Sequence, residues 1–160
     1  MRRPTAAAGS ALFFAVAPSV VAGVIPYLLT GWETEAEWWP PIRVLGALVV
    51  VLSAAVLVHA FARFVVEGLG TPAPVAPTER LVIGGLYRYV RNPMYLAVSA
   101  VIVGQALILG RPGLLVYAFA FEAVVWTFVR VYEEPTLART YGAEYEAYRR
   151  AVPGWWPRRR

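Results

Sequence analysis

At 160 residues the chain is long enough for one compact domain and too short for two ordinary ones. Apolar residues make up 59% and charged ones 16%, against roughly 45–50% and about 25% in water-soluble domains, so a soluble core is excluded as the destination of so much apolar surface. The charges are 15 arginines and 10 glutamates, with neither lysine nor aspartate; the absence of cysteine excludes disulfides, thiolate metal sites and cysteine nucleophiles, and a lone His59 excludes a multi-histidine metal cluster.

Residues 11–30 are uncharged, a run that at about 1.5 Å per residue crosses the roughly 30 Å hydrocarbon layer and predicts a first transmembrane helix. Pro18 and Pro26 each remove a backbone donor from it, which is tolerated where neighbouring helices satisfy the freed carbonyls. A cleaved signal peptide is the competing reading; no small-residue cleavage site closes the run, and three more apolar stretches follow. The second span is predicted over about 44–66, uncharged until His59 and Arg63 near its end, where an arginine can snorkel. The third covers about 94–109 and the fourth about 114–132, with only residues 110–113 between them, so they form an antiparallel helical hairpin.

Orientation follows from arginine. Arg2 and Arg3, then Arg80, Arg88 and Arg91 beside Arg63, and then the tail arginines lie on one side; the other has only Arg43 and Arg111, with Glu33, Glu35 and Glu37. The positive-inside rule therefore puts both termini and the long middle loop in the cytoplasm. Trp32, Trp38, Trp39, Trp155 and Trp156 suit the two interfacial belts.

The middle loop opens with a spacer that Pro72, Pro74 and Pro77 keep extended. Its Gly68 and Gly70 form a G-x-G that no strand precedes, so a dinucleotide fold fails on context. Then comes LVIGGLYRYVRNPMYL, in which Gly84 and Gly85 allow a sharp turn and Asn92-Pro93 opens the third helix. Its tyrosines and arginines read equally as an interfacial belt or as a site. Glu133 and Glu134 stand where the fourth span ends, next to carbonyls that already repel negative charge. They are held more easily if Arg130 or the middle-loop arginines lie against them. Leu137, Tyr141, Tyr145 and Tyr148 recur at helical steps, which predicts one stripe of a short helix packed on the bundle. Residues 158–160, all arginine, read as an anchor for anionic lipid, with no second basic aromatic surface for nucleic acid. Within the bundle Glu122 is either a functional group or a protonated partner of Gln105.

The motifs GLYRYVRNPMY at 85–95, Gly104-Gln105, EEPTL at 133–137 and YGAEYEAYRRAVP at 141–153, taken in order, resemble the isoprenylcysteine carboxyl methyltransferase and phospholipid N-methyltransferase superfamily of integral membrane enzymes. The resemblance runs from about 79 to 153. It implies an all-α integral membrane bundle of about four transmembrane helices, a single domain over 1–160, with a cytoplasmic cofactor pocket closed by a short C-terminal helix. It further implies S-adenosylmethionine as cofactor, bound by segments at about 79–95 and 130–153, and a lipophilic acceptor entering from the bilayer, with no metal and no nucleic acid. Carried over by position, the cofactor contacts fall on Arg80, Leu81, Val82, Tyr87, Arg91, Asn92, Pro93, Met94, Tyr95, Gln105 and Glu133, and the catalytic positions on Arg130 and Glu134. The chain departs from the prenylcysteine branch at Asn92, where that branch usually has His, and at Val129, where it has a substrate-binding arginine; Arg130 is adjacent.

The chemistry so implied is in-line methyl transfer in a dry pocket. A carboxylate acceptor needs no base, whereas an amine or thiol must lose a proton, for which Glu134, Glu122 or a water chain are candidates. The rival readings are a membrane reductase using NADPH and a non-catalytic helical membrane protein of the same fold. A charge set of Arg and Glu alone is in keeping with a GC-rich bacterial genome, and so with a multi-pass protein of the bacterial inner membrane and a small lipophilic acceptor or lipid rather than a protein.

Overall fold

Backbone groups in an apolar segment must find partners within the protein, and every element among the described residues is helical. The computed structural model describes residues 16–68 and 80–157, with Gly9, Leu12 and Phe13 ahead of them. The spacer prolines 72, 74 and 77, and the arginines at 2, 3 and 158–160, lie outside the described residues.

Among the described residues six main helices follow in order: α1 Val16–Thr30, α2 Pro40–Arg63, α3 Pro93–Leu109, α4 Pro112–Phe128, α5 Glu134–Tyr141 and α6 Ala143–Ala151. Proline opens α2, α3 and α4 at their first position, where its missing N–H costs nothing. A wide turn, Val129–Glu133, joins α4 to α5 without a break. Among the described residues two helices are long and apolar enough to cross a membrane, α2 with 24 residues and the continuous Pro112–Tyr141 with 30, while α1 and α3 are shorter. In α2 only 17% of the apolar window is buried, and Val44, Leu48, Val51, Leu52 and Val58 are all exposed. A helix apolar around its circumference and left largely uncovered by protein has lipid as its solvent, so this is a membrane protein.

Pro26 shapes α1. The Ile25 N–H reaches back five residues to the Val20 carbonyl, widening the turn Val20–Val24, and Pro26 has no N–H to donate. The Val21 carbonyl thereby loses both candidate donors, and that of Ala22 loses its regular one. Side chains replace them: the Tyr117 hydroxyl of α4 donates to Val21 O at 2.7 Å, and Gln105 Nε2 of α3 donates to Ala22 O at 2.6 Å. Trp32 Nε1, just past the end of α1, donates to Gln105 Oε1 at 3.2 Å, so one amide fastens α1 at two levels. Pro135 stands in the same relation to the second wide turn, in which Glu134 N–H reaches the Val129 carbonyl. There the skipped residues Arg130 and Val131 are exposed.

Helices α2 and α3 approach closely because glycine meets glycine. A Cβ on Gly46 would come within 2.7 Å of the Gly104 carbonyl, and one on Gly104 within 2.6 Å of Val50 Cγ2. The rest of the core is apolar: Val98, Ile102 and Ala106 of α3 pack on Leu114 and Ala118 of α4. At the α3–α4 turn Gly110 adopts a left-handed φ of 61°, and a Cβ there would run into the Ala36 carbonyl. Arg111 completes the corner, with its Nε on Glu33 O at 2.9 Å and its guanidinium 3.3 Å from Glu35.

Gly104→Leu is expected to force α2 and α3 apart and to lower stability by about 3 kcal/mol, the upper range for overpacking. Thermal unfolding in detergent, with Gly113→Leu as the control where a side chain meets open space, measures the difference.

Candidate active site

The site begins where α2 ends. Arg63 pairs with Glu67 one turn on at 2.7 Å, and the other Glu67 oxygen accepts the Gly84 N–H at 2.9 Å. Gly85 follows with a φ of 58°, and a Cβ there would stand 2.7 Å from His59 Nε2. This turn can therefore lie flat on α2 only as glycine, and it delivers Tyr87 into a buried cluster with Ala60, Val82, Phe64 and Met94.

Asn92 precedes α3 without capping it. Its side-chain and backbone N–H groups both donate to the Gly154 carbonyl, at 3.1 and 3.2 Å, and Arg91 N–H donates to Pro153 O at 2.9 Å. The tail is thus strapped across the start of α3. Tyr148 of α6 adds a hydrogen bond to the Tyr87 carbonyl at 2.7 Å. The stripe predicted as one short helix is two, because Gly142 (φ 55°) turns the chain between α5 and α6. Leu137, Tyr141, Tyr145 and Tyr148 nevertheless all border one cavity.

That cavity holds about 340 Å³, within the range of small-molecule sites. It is lined by the segment before and into α3, including Leu81, Val82, Tyr87, Asn92, Met94 and Tyr95, and by Glu133 and the tyrosines of the tail. Apolar side chains from four helices complete the lining, Ala17 and Val21 from α1, Leu57 from α2, Val98 from α3 and Phe121 from α4.

The two glutamates differ. Glu134 is buried and faces two guanidiniums, Arg91 Nη1 at 2.8 Å and Arg149 Nη2 at 3.6 Å, and Tyr145 shares Arg91 at 2.9 Å. Its charge is fully answered. Glu133 accepts a hydrogen bond from Tyr95 at 3.1 Å and otherwise faces the cavity, so it keeps capacity to accept more. Beside it two buried donors lack partners among the described residues, the Tyr87 hydroxyl and Arg91 Nε. Burial, reinforced by Tyr148, Glu133 and Tyr95, pushes the Tyr87 phenol up, and burial does the same to Tyr148 against the opposing Arg91 charge.

Of the residues singled out in the sequence, Leu81, Val82, Tyr87, Arg91, Asn92, Pro93, Met94, Tyr95, Glu133 and Glu134 border this cavity. Three do not. Arg80 is exposed at the edge of the described loop. Gln105 serves α1 and Trp32, thirteen positions from Asn92 and so about 20 Å along the α3 axis. Arg130 lies exposed with its guanidinium 5.1 Å from the Trp126 ring, and the middle-loop Arg91, not Arg130, answers the glutamate pair. Glu122 does not bond Gln105, which lies too far along the helix; the Ser99 hydroxyl donates to it instead. The contribution of α1 to the cavity had no local signal in the sequence, since contact with a distant helix leaves no motif in an apolar run.

Comparison with known proteins identifies the framework. A family model described as phospholipid methyltransferase matches residues 41–144. The chain belongs to that family. The phospholipid methyltransferase match takes in α2, α3, α4, α5 and the cavity residues they carry. A relative, the protein-S-isoprenylcysteine O-methyltransferase of Schizosaccharomyces pombe, is 35% identical over 80 residues, which is 48% of this chain and 33% of that protein. The similarity thus spans a third of the length of that relative.

Arg91→Met leaves the buried Glu134 with the longer Arg149 contact alone, and stability is expected to fall by about 3 kcal/mol. Adding Glu134→Leu is expected to recover most of that loss, as a double-mutant cycle in chemical denaturation reads directly. Because Tyr87 and Tyr148 have folded values raised above the ordinary phenol value near 10, their contribution to stability is complete below about pH 10 and is lost as pH rises beyond it. Alkaline titration followed by tyrosinate absorbance is expected to show a class of tyrosines that ionises only as the helices melt.

Proposed function

We propose that this chain is an enzyme that transfers a methyl group from S-adenosylmethionine to a lipophilic small molecule or lipid at the cytoplasmic face of a bacterial inner membrane. The observation that carries this reading is a single cavity bordered by the 81–95 segment and by Glu133, whose charged and phenolic lining comes from the loop before α3 and the tail and whose further lining from α1, α2, α3 and α4 is apolar. Membership of a methyltransferase family supports it.

The residues present fit the cofactor. Tyr95, Tyr145 and Tyr148, with Met94 and Leu81, supply aromatic and apolar walls for an adenine ring. Glu133, bonded by Tyr95, has acceptor capacity for a ribose diol or an ammonium group, and the unpartnered Tyr87 hydroxyl and Arg91 Nε are donors suited to a carboxylate. When bound, S-adenosylmethionine supplies an electrophilic methyl on a sulfonium. The chain's own work is to orient and to exclude water: α6 and the strapped tail cover the polar lining, and the apolar lining receives hydrocarbon from the bilayer. Glu134, saturated by Arg91 and Arg149, positions Arg91 rather than carrying a proton. Arg130, turned onto Trp126, lies outside the reacting group's surroundings.

The same reading makes the chain one domain with four spans and both termini in the cytoplasm. Arginine bias sets the orientation, and α1 and α3 cross by local thinning of the bilayer and by their flanking residues.

Titration calorimetry on the purified protein is expected to give heat with S-adenosylmethionine and none with NADPH. Glu133→Ala should weaken cofactor binding about a hundredfold, the loss of charged hydrogen bonds, with helical content intact. Heat with NADPH alone, or full affinity in a folded Glu133→Ala protein, rejects the assignment.

A further inference from the structure

Helix α1 presents Ala17, Pro18 and Val21 to the cavity from one helical stripe, and Phe13 ahead of the helix also lines it. All four are apolar, whereas the charged lining residues Arg91, Glu133 and Glu134 come from the loop before α3, from the wide turn after α4 and from the first position of α5. The α1 side is therefore the one suited to hydrocarbon. Val21 also has a second part: its side chain lines the cavity while its carbonyl takes the Tyr117 hydroxyl at 2.7 Å. The next carbonyl, Ala22, takes Gln105 Nε2 at 2.6 Å. The cavity wall and the two bonds that hold it are thus adjacent along one turn.

We propose that Gln105 and Tyr117 are positioning residues for the methyl acceptor: by accepting the task of bonding the carbonyls that Pro26 leaves free, they hold α1 as the apolar wall against which the acceptor's hydrocarbon lies. This rests on the reading of the cavity as a methyl-transfer site. It separates two roles that a simple packing bond would combine. Restoring a donor inside α1 by Pro26→Ala gives the Ala22 carbonyl a partner of its own, and so relieves the cost of losing Gln105. It does not reattach α1 to α3 and α4.

The test uses the full chain in proteoliposomes with a diazirine-bearing S-farnesylcysteine as probe, photocrosslinked in the presence of S-adenosylmethionine and mapped by mass spectrometry; cofactor affinity is measured separately by calorimetry. Wild-type adducts are expected on Ala17, Pro18 and Val21. In Tyr117→Phe, and further in Tyr117→Phe with Gln105→Leu, their yield should fall, by about tenfold in the double variant, while cofactor affinity is unchanged. Adding Pro26→Ala should bring back the thermal midpoint and leave the adduct yield low. Recovery of adducts together with the midpoint would reduce the two side chains to a folding role and overturn the proposal. A parallel fall in cofactor affinity, or a wild type without adducts on α1, would overturn it as well. Failure of the wild type to bind S-adenosylmethionine is a separate result, which removes the methyl-transfer reading on which the proposal stands.

Discussion

A proline within an apolar helix leaves carbonyl oxygens that lipid cannot satisfy, and much of this molecule is arranged around that demand. Pro26 strips the donors from Val21 and Ala22, and the two polar side chains able to answer, Tyr117 and Gln105, come from α4 and α3. Three helices that share no large polar surface are thereby fixed at one level. The Gly46–Gly104 contact brings α2 against α3 from another direction, and a space remains between α1 and the end of the bundle that carries Glu133. Helices packed only by apolar side chains in lipid gain little from exclusion of water, so such specific bonds and close backbone approaches decide their placement.

The second constraint is electrostatic. Two consecutive carboxylates at the end of a helical span repel each other and the carbonyls beside them, yet the chain treats them unequally. Pro135 and the wide turn before it turn Glu134 towards Arg91, Tyr145 and Arg149, a network buried at Glu134 and Tyr145 and open to solvent at Arg149 that joins the start of α3 to α5 and α6. Glu133 is left with Tyr95. A saturated carboxylate stabilises the arrangement, and an unsaturated one is available to a ligand; adjacency in sequence places the first directly behind the second. The strap from Pro153 and Gly154 to Arg91 and Asn92 closes the same region from outside.

Several of these features were legible before any coordinates. An apolar excess with arginine as the sole cation marked a membrane protein, and the loss of donors at Pro26, with neighbouring helices as the remedy, follows from proline's structure alone. Other placements were decided only by the fold. Gln105 lay in a motif shared with methyltransferases, and its amide is spent on α1. Arg130 was a natural partner for the glutamates by spacing, but the wide turn at Val129–Glu133 shifts the helical register so that it faces outward. The tyrosine stripe of the tail was visible as periodicity; that it borders a cavity was not, since period alone gives a face and never its partner.

The sequence by itself determined that the chain is helical and apolar, where glycine and proline interrupt it, and to which methyltransferases it is related, because composition, turn chemistry and motif are local properties of the chain. Only the tertiary structure decided that α1 completes the cavity, that Arg91 rather than Arg130 neutralises Glu134, and that Glu133 is the member of the pair that keeps an open valence towards the interior. Each of those depends on the distance between groups far apart in the chain, set by which carbonyl, glycine or guanidinium a neighbouring helix happens to meet.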